Sequence, residues 1–511
     1  MWALARCSSQ VREVVSQQSV LLSLLLRNPH FRSPMIALWV SDLGGSLHMP
    51  MVMFFYLRLG ASPLDLGVFG FFMRGGSVLL SPIYGWCVDR YGIRPPLLVC
   101  MALCGTGCIL RGLAGSVWHV YAAQVLLGAG GGSSWNMVKG YVARHTGEEQ
   151  RMLVISGLKL QMLVLSLTKV FYPALDQALS LVLSLGTELS RYRAVIMTCT
   201  LFCWFGVLVL VACHPSRETP GGQDRASEPQ QKLQVAAAGI CTWCTLPASF
   251  LPLVVAFAVT GCISTMCSQL WPLFVKFHFG WTAKEYAYLS FSDSALTATA
   301  LGIYPRVVSS TTTHRKISLV RALAVGAGCS ILLAYTCGSL LAPGADTAAR
   351  ETPGGLRDAQ LGGWQASGAY PDLLKALHVG LALVSFAAIG VLGPCLETIA
   401  SLQVPPEQQG FVMGALNSAT SLGALSGNLA GMGLWMASAR YSSQEGAGPI
   451  QRALAGGRLP YVVVALLLAS VSALLGSTRA APEGREALPQ RDGGGVPAQE
   501  IGLPDLDRAP G

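Results

Sequence analysis

Charge is scarce in this chain. Lys, Arg, Asp and Glu together make up 12% of 511 residues, about half the share of a soluble domain. So few charged groups cannot cover an aqueous surface of this size, which excludes a soluble multidomain enzyme, a disordered protein and a fibrous one. No Asn-x-Ser/Thr sequon occurs, so nothing marks an N-glycosylation site. No GxxxxGK[ST] phosphate loop occurs, so the chain carries no sign of an ATP motor of its own. A disulfide framework is not expected either. The 15 cysteines are odd in number, and most, such as Cys100, Cys104, Cys108, Cys199, Cys203, Cys329 and Cys395, sit inside apolar runs as small hydrophobes. Cys241 and Cys244 form one CxxC pair without the second pair a zinc site needs. No metal, no cofactor and no nucleophile–base motif is therefore expected, and the chain does not read as an enzyme. The net charge of +9 is spread along the chain, often at the edges of apolar runs. That pattern reports membrane topology and not a nucleic-acid partner.

What remains is apolar. Hydrophobic residues make up 52%, mean hydropathy is +0.49, and 57 glycines amount to about 11%, against ~7% in an average protein. Small residues let helices approach closely in lipid. Runs of about 20 apolar residues, the length that crosses ~30 Å of hydrocarbon, predict spans at 35–57, 65–84, 96–116, 119–141, 152–173 and 193–213. Six more are predicted at 250–275, 286–307, 317–341, 373–400, 411–436 and 459–478. The expectation is an all-α membrane protein with twelve transmembrane helices in two six-helix halves, 34–213 and 250–478. A polar linker at 214–249 joins them, a basic tail at 1–33 precedes them, and a Gly-, Pro- and charge-rich tail at 479–511 follows. The tail at 1–33 is also Arg- and Ser-rich and acid-poor, as in an organelle transit peptide. Lys and Arg in short loops place both termini in the cytoplasm, with the bias clearest in the first half. The protein is expected to be integral and multi-pass, in a plasma or an organelle membrane, and monomeric.

After the second span comes GWCVDRYGIRPPL, residues 85–97. It resembles the loop 2–3 signature of the major facilitator superfamily, with Gly85, Asp89, Arg90, Gly92 and Arg94 in matching positions. Cys87 replaces the usual Leu, and Ile93 replaces the first basic residue of the pair. The resemblance implies alternating access by two rocking halves, with Asp89 meeting the N-terminus of the eleventh helix near Gly410–Phe411 as a conformational latch. Exposed N–H groups at a helix start attract such an anion. LGASPLDLGVFGFF (59–72), FGWTAKEYAYL (279–289) and VPPEQQGFVMGALNSATSLGALSG (404–427) also look like family segments, the last like the drug:proton antiporters, including the tetracycline-efflux type. Two features depart from that subgroup. Gln124 stands four residues before Gly128, where an Arg is usual in the fourth helix, and the fifth span has no Gly-Pro signature but carries Lys159 and Lys169.

Ionisable groups at bilayer depth are costly and mark pathways or partners. Asp42 lies in the first span, Arg74 in the second, Lys159 in the fifth and Asp293 in the eighth. Asn136 and Lys139 share a face of the fourth with Gly128 and Gly132. Lys139 and Lys169 read as snorkelling or interfacial, and His48 and His378 as packing residues. Substrate or proton pathway candidates are thus Asp42, Arg74, Gln124, Asn136, Lys159 and Asp293. The embedded set is slightly basic. The sequence therefore points to a secondary transporter of a small organic solute, preferentially anionic or zwitterionic, working as symporter or antiporter with protons as coupling ion. The alternative is a membrane scaffold or receptor that keeps the fold without transporting.

Overall fold

The computed structural model describes residues 29–145, 165–213, 250–309, 313–341, 372–403, 409–442 and 458–477. Of two compact units, Met1–Thr478 contains all of these, and Arg479–Gly511 lies outside them. Twelve α-helices are formed among the described residues: α1 Pro29–Arg58, α2 Pro63–Tyr91, α3 Arg94–Gly112, α4 Val117–His145, α5 Tyr172–Val182, α6 Glu188–Cys213, α7 Leu251–Phe279, α8 Ala283–Ser309, α9 Thr313–Leu341, α10 Asp372–Gln403, α11 Gln409–Ser442 and α12 Leu459–Ser477.

Local sequence explains where several helices start and stop. Ser62 caps α2 in a reciprocal box with Asp65, and Pro63 fills the first position, where a missing N–H is harmless. Gly92 ends α2 with φ of 79° and Gly280 ends α7 with φ of 68°, conformations that a side chain would strain. The fifth helix runs further along the chain than the sequence suggests. A 3-10 turn at Leu167–Phe171 leads into α5, which continues to Val182. Pro173 does not stop it, because it stands at the helix start. The rest of the expected span 152–173 lies outside the described residues up to position 164.

Seven stretches, in α2, α3, α6, α7, α9, α10 and α12, are long and apolar enough to cross a membrane by length and composition. The other five fall outside this set, α5 because it is only 11 residues long, and α1, α5, α8 and α11 among them carry Asp42, Asp176, Asp293 and Asn428. Lipid-facing stripes are plain on the apolar ones. On α6, Leu201, Phe205 and Leu208 are exposed, and Cys199, Cys203, Gly206 and Leu210 are buried on the other side.

The packing repeats. In the first six helices α1 meets α6, α2 meets α4, α3 meets α4 and α3 meets α6. In the last six, α7 meets α12, α8 meets α10, α9 meets α10 and α9 meets α12, each pair displaced by six. The two groups join through α2 with α11 and α5 with α8, which are again equivalent pairs, and through α1 with α8. Glycine makes the closest crossings. A Cβ at Gly423 of α11 would lie 1.7 Å from the Ala258 carbonyl oxygen of α7. One hydrophobic core, including Phe54, Phe69, Trp271 and Phe274, runs through both groups. A second, with Phe31, Met35, Tyr84, Ile93, Leu97 and Tyr141, belongs to the first group alone, near the α2–α3 turn. Among the described residues the groups are thus fused toward the α1–α2 end.

Candidate functional site

The polar groups at depth fall into four sets. Asp42 of α1 accepts a hydrogen bond from the indole N–H of Trp135, a buried residue of α4. No described cation pairs with Asp42, so the indole is what holds this carboxylate in place. Across the junction, Lys169 of the 3-10 turn donates to Ser294 Oγ of α8 at 3.2 Å. The neighbouring carboxylate of Asp293 attracts the same ammonium, and its Oδ1 is buried without a hydrogen-bond partner. A lysine of the first six helices and an acid of the last six therefore meet at the junction.

Arg74 forms the third set by itself. Gly67 and Gly70 of α2 press on α11, where a Cβ at Gly70 would come within 2.2 Å of Asn428 Oδ1. Four residues on, one turn further, Arg74 lies on the same face of α2, yet it is exposed. It makes no hydrogen bond or ion pair with a described residue. The guanidinium of Arg74 is thus accessible one turn beyond the Gly70–Asn428 contact, beside Gly75, where a Cβ would lie 3.5 Å from Leu425 of α11. Asn428 itself is buried, donates to the Ala424 carbonyl at 3.1 Å and keeps Oδ1 unpartnered.

The fourth set lies within the first six helices. His48 bonds through Nδ1 to the Gly44 carbonyl at 2.8 Å, and its Nε2 accepts from Arg111 at 3.1 Å. Arg111 lies over the Tyr56 ring at 5.8 Å, and Gln124 donates to the Tyr56 hydroxyl at 2.6 Å. Gln124, Tyr56, His48 and Arg111 are all buried, so Gln124 sits in a packed network. Lys159 lies outside the described residues. Of Gly85, Asp89 and Asn136 the structure describes the backbone, in α2 and α4.

Two further features were not expected from the sequence. At the α1–α2 end Asp176 of α5, 3% exposed, faces Arg191 of α6 at 3.7 Å and Lys284 of α8 at 3.6 Å. Beside it Arg58 pairs with Glu188 at 2.5 Å, and Lys276 of α7 lies 5.6 Å from the Phe54 ring of α1. At the other end Arg94 of the loop 2–3 motif donates to the Val211 carbonyl in the last turn of α6 at 2.7 Å, a favourable place for a cation. Ile93, where the motif usually has a basic residue, is fully buried in the second core.

The family profile of the Major Facilitator Superfamily matches residues 35–428. The chain belongs to this superfamily. It is therefore an integral, multi-pass membrane protein of a transporter family. Solved superfamily structures share the fold at low identity. The nucleoside transporter NupG aligns with a TM-score of 0.62 at 9% identity, covering 89% of this chain and 100% of its own. A bacterial homologue of the human lysosomal transporter Spinster, inward-facing and occupied, gives 0.58 at 16%, covering 91% and 98%. The human organic anion transporter MFSD10 (TETRAN) gives 0.53 at 16%, covering 88% and 99%. No curated protein matches the sequence.

Proposed function

We propose that this superfamily member is a secondary active transporter that moves a small anionic or zwitterionic organic solute by alternating access, with protons as the coupling ion. Residues 34–213 and 250–478 act as the two halves, the polar segment 214–249 links them, and both termini are cytoplasmic. The observation that carries this reading is Arg74, an always-charged group exposed on the face of α2 that meets α11 one turn away. A cation at such depth requires an anion or water, and a solute carboxylate fits. Asp42, within the first six helices, and Asp293, which meets Lys169 across the junction, supply the acids for proton exchange. Coupling is assigned to these acids and not to an α4 arginine, since Gln124 occupies that position within a packed network.

Purified protein in liposomes, offered radiolabelled carboxylates, amino acids and neutral solutes, tests the reading. Saturable uptake of a charged class is expected, with an at least tenfold loss in Arg74→Gln and none in Arg315→Gln at an exposed site. A protonophore should collapse accumulation, and Asp293→Asn should remove its pH dependence. Asp89→Asn should reduce flux while leaving solute binding intact, as a latch facing the start of α11 at Gln409 requires. Absence of saturable flux across the panel would leave the scaffold reading standing.

A further inference from the structure

Three thiols converge where α3 and α6 pack beside Asp42. Cys104 and Cys108 are one turn apart on α3, and Cys203 comes from α6. Their sulfur atoms all lie within 4.8 Å of one another. Cys108 and Cys203 are buried and Cys104 is half-buried. Helix α4 also packs closely on Cys104: a Cβ at Gly130 would lie 2.6 Å from the Cys104 backbone nitrogen, and one at Gly131 would lie 3.6 Å from Cys104 Sγ. Ser41 of α1 directs its hydroxyl at Cys203 Sγ, 3.5 Å away.

A single cysteine in an apolar run is a small hydrophobe. Three sulfurs brought together from two helices, with a hydroxyl beside them, form a ligand set. Metal–thiolate bonds of about 2.3 Å place three sulfurs around one ion roughly 4 Å apart, so side-chain rotation alone closes the present spacing. An independent observation concerns charge. Arg111, three residues beyond Cys108, is 5% exposed and acts electrostatically on that thiol. Its described neighbours are the neutral His48 and the Tyr56 ring, it has no carboxylate partner among the described residues, and its Nε is unpartnered. A buried guanidinium without an anion calls for one. Three thiolates around a divalent ion carry one net negative charge, which this guanidinium balances. A monovalent ion would leave a second charge uncompensated.

We propose that Cys104, Cys108 and Cys203 form a three-sulfur site for a thiophilic divalent d10 cation of the Zn(II) type, with the Ser41 hydroxyl in the fourth position. Loading releases the three thiol protons and forms three metal–sulfur bonds. The ion ties α1, α3 and α6 together behind Asp42, outside the solute pathway assigned to Arg74.

The test uses the full chain in detergent micelles with Cys241→Ser and Cys244→Ser, which remove the CTWC pair as a competing ligand. The metal-stripped protein is titrated with Zn(II) against a chromophoric chelator, and with Cd(II) while following near-ultraviolet thiolate-to-metal absorption. One equivalent of each is expected, with Cd(II) absorption corresponding to three thiolates. Cys108→Ser should weaken binding at least a hundredfold, and Cys329→Ser, at an exposed cysteine, should not change it. Sub-stoichiometric binding, equal binding by Cys108→Ser, or Cd(II) uptake without the thiolate band overturns the proposal, as does tight Cu(I) binding without Zn(II) binding. Should Cys108→Ser fail to fold, the band of the parent protein decides. None of these readouts depends on solute flux.

Discussion

Asp176 shows how a single buried carboxylate can join the two groups of helices. It faces Arg191 from the first group and Lys284 from the second, with one oxygen left unpartnered. Removing one member of a buried pair costs 3–5 kcal/mol, but Lys284 is 45% and Arg191 29% exposed, so screening reduces this. Asp176→Asn should therefore lower stability by about 1–3 kcal/mol, measured as a drop in thermal midpoint that shrinks at high salt. Lys169→Met should reduce uptake more strongly than it reduces stability, because its partners Ser294 and Asp293 lie across the junction. At this scale the sequence was legible where charge is rare. Asp42, Arg74 and Asp293 stand out in apolar runs. Their surroundings were not legible. Trp135 reads as a core aromatic until α4 brings it to Asp42. Lys169 reads as interfacial until α8 brings it Ser294. Pairing across the junction is set by tertiary packing, which local spacing does not encode.

At the level of elements, apolar runs located the spans because bilayer thickness fixes helix length. The expected span at 250–275 corresponds to α7 at Leu251–Phe279, and that at 459–478 to α12 at Leu459–Ser477. The fifth helix reaches Val182, beyond the expected end at 173, because Pro173 and the apolar residues after it start a helical segment. The α7–α11 crossing depends on small residues, since a Cβ at Gly261 would lie 2.1 Å from the Thr420 carbonyl oxygen. Gly423→Ala should force these helices apart and destabilise by about 1–3 kcal/mol or more, read as loss of monodisperse protein on size exclusion. Gly326→Ala, where a Cβ meets nothing within 4 Å, should be silent. The loop 2–3 motif was legible as a family mark, and its departure at Ile93 has a packing reason, because that side chain sits in the second core with Leu97 and Val88.

Over the whole molecule, the first group's share of the common core and the charged cluster both lie toward the α1–α2 end, so the proposed alternating access has to part the helices there. Opening that end must separate Gly67 and Gly70 from Asn428 and Met432. Gly70→Leu should block re-closure and shift the population toward the state open at that end, seen as increased labelling of a cysteine introduced at Asn428. Unchanged labelling would place the moving contact elsewhere. The superfamily fold was legible before any coordinates, because twelve apolar runs and one five-residue match suffice for it. The contacts at the α1–α2 end were not, since they depend on side chains meeting between helices far apart in sequence.

The unequal polarity of the helices also has a consequence for biogenesis. A charged residue at a helix centre raises the free energy of membrane insertion by about 3 kcal/mol. Helix α8 carries Asp293 and is not among the seven apolar spans. Its acid gains Lys169 from a segment made much earlier. The emerging α8 is therefore expected to enter lipid against helices already in place. Nascent chains carrying Lys169→Glu should leave α8 less completely inserted, a defect that arises during synthesis and not during transport.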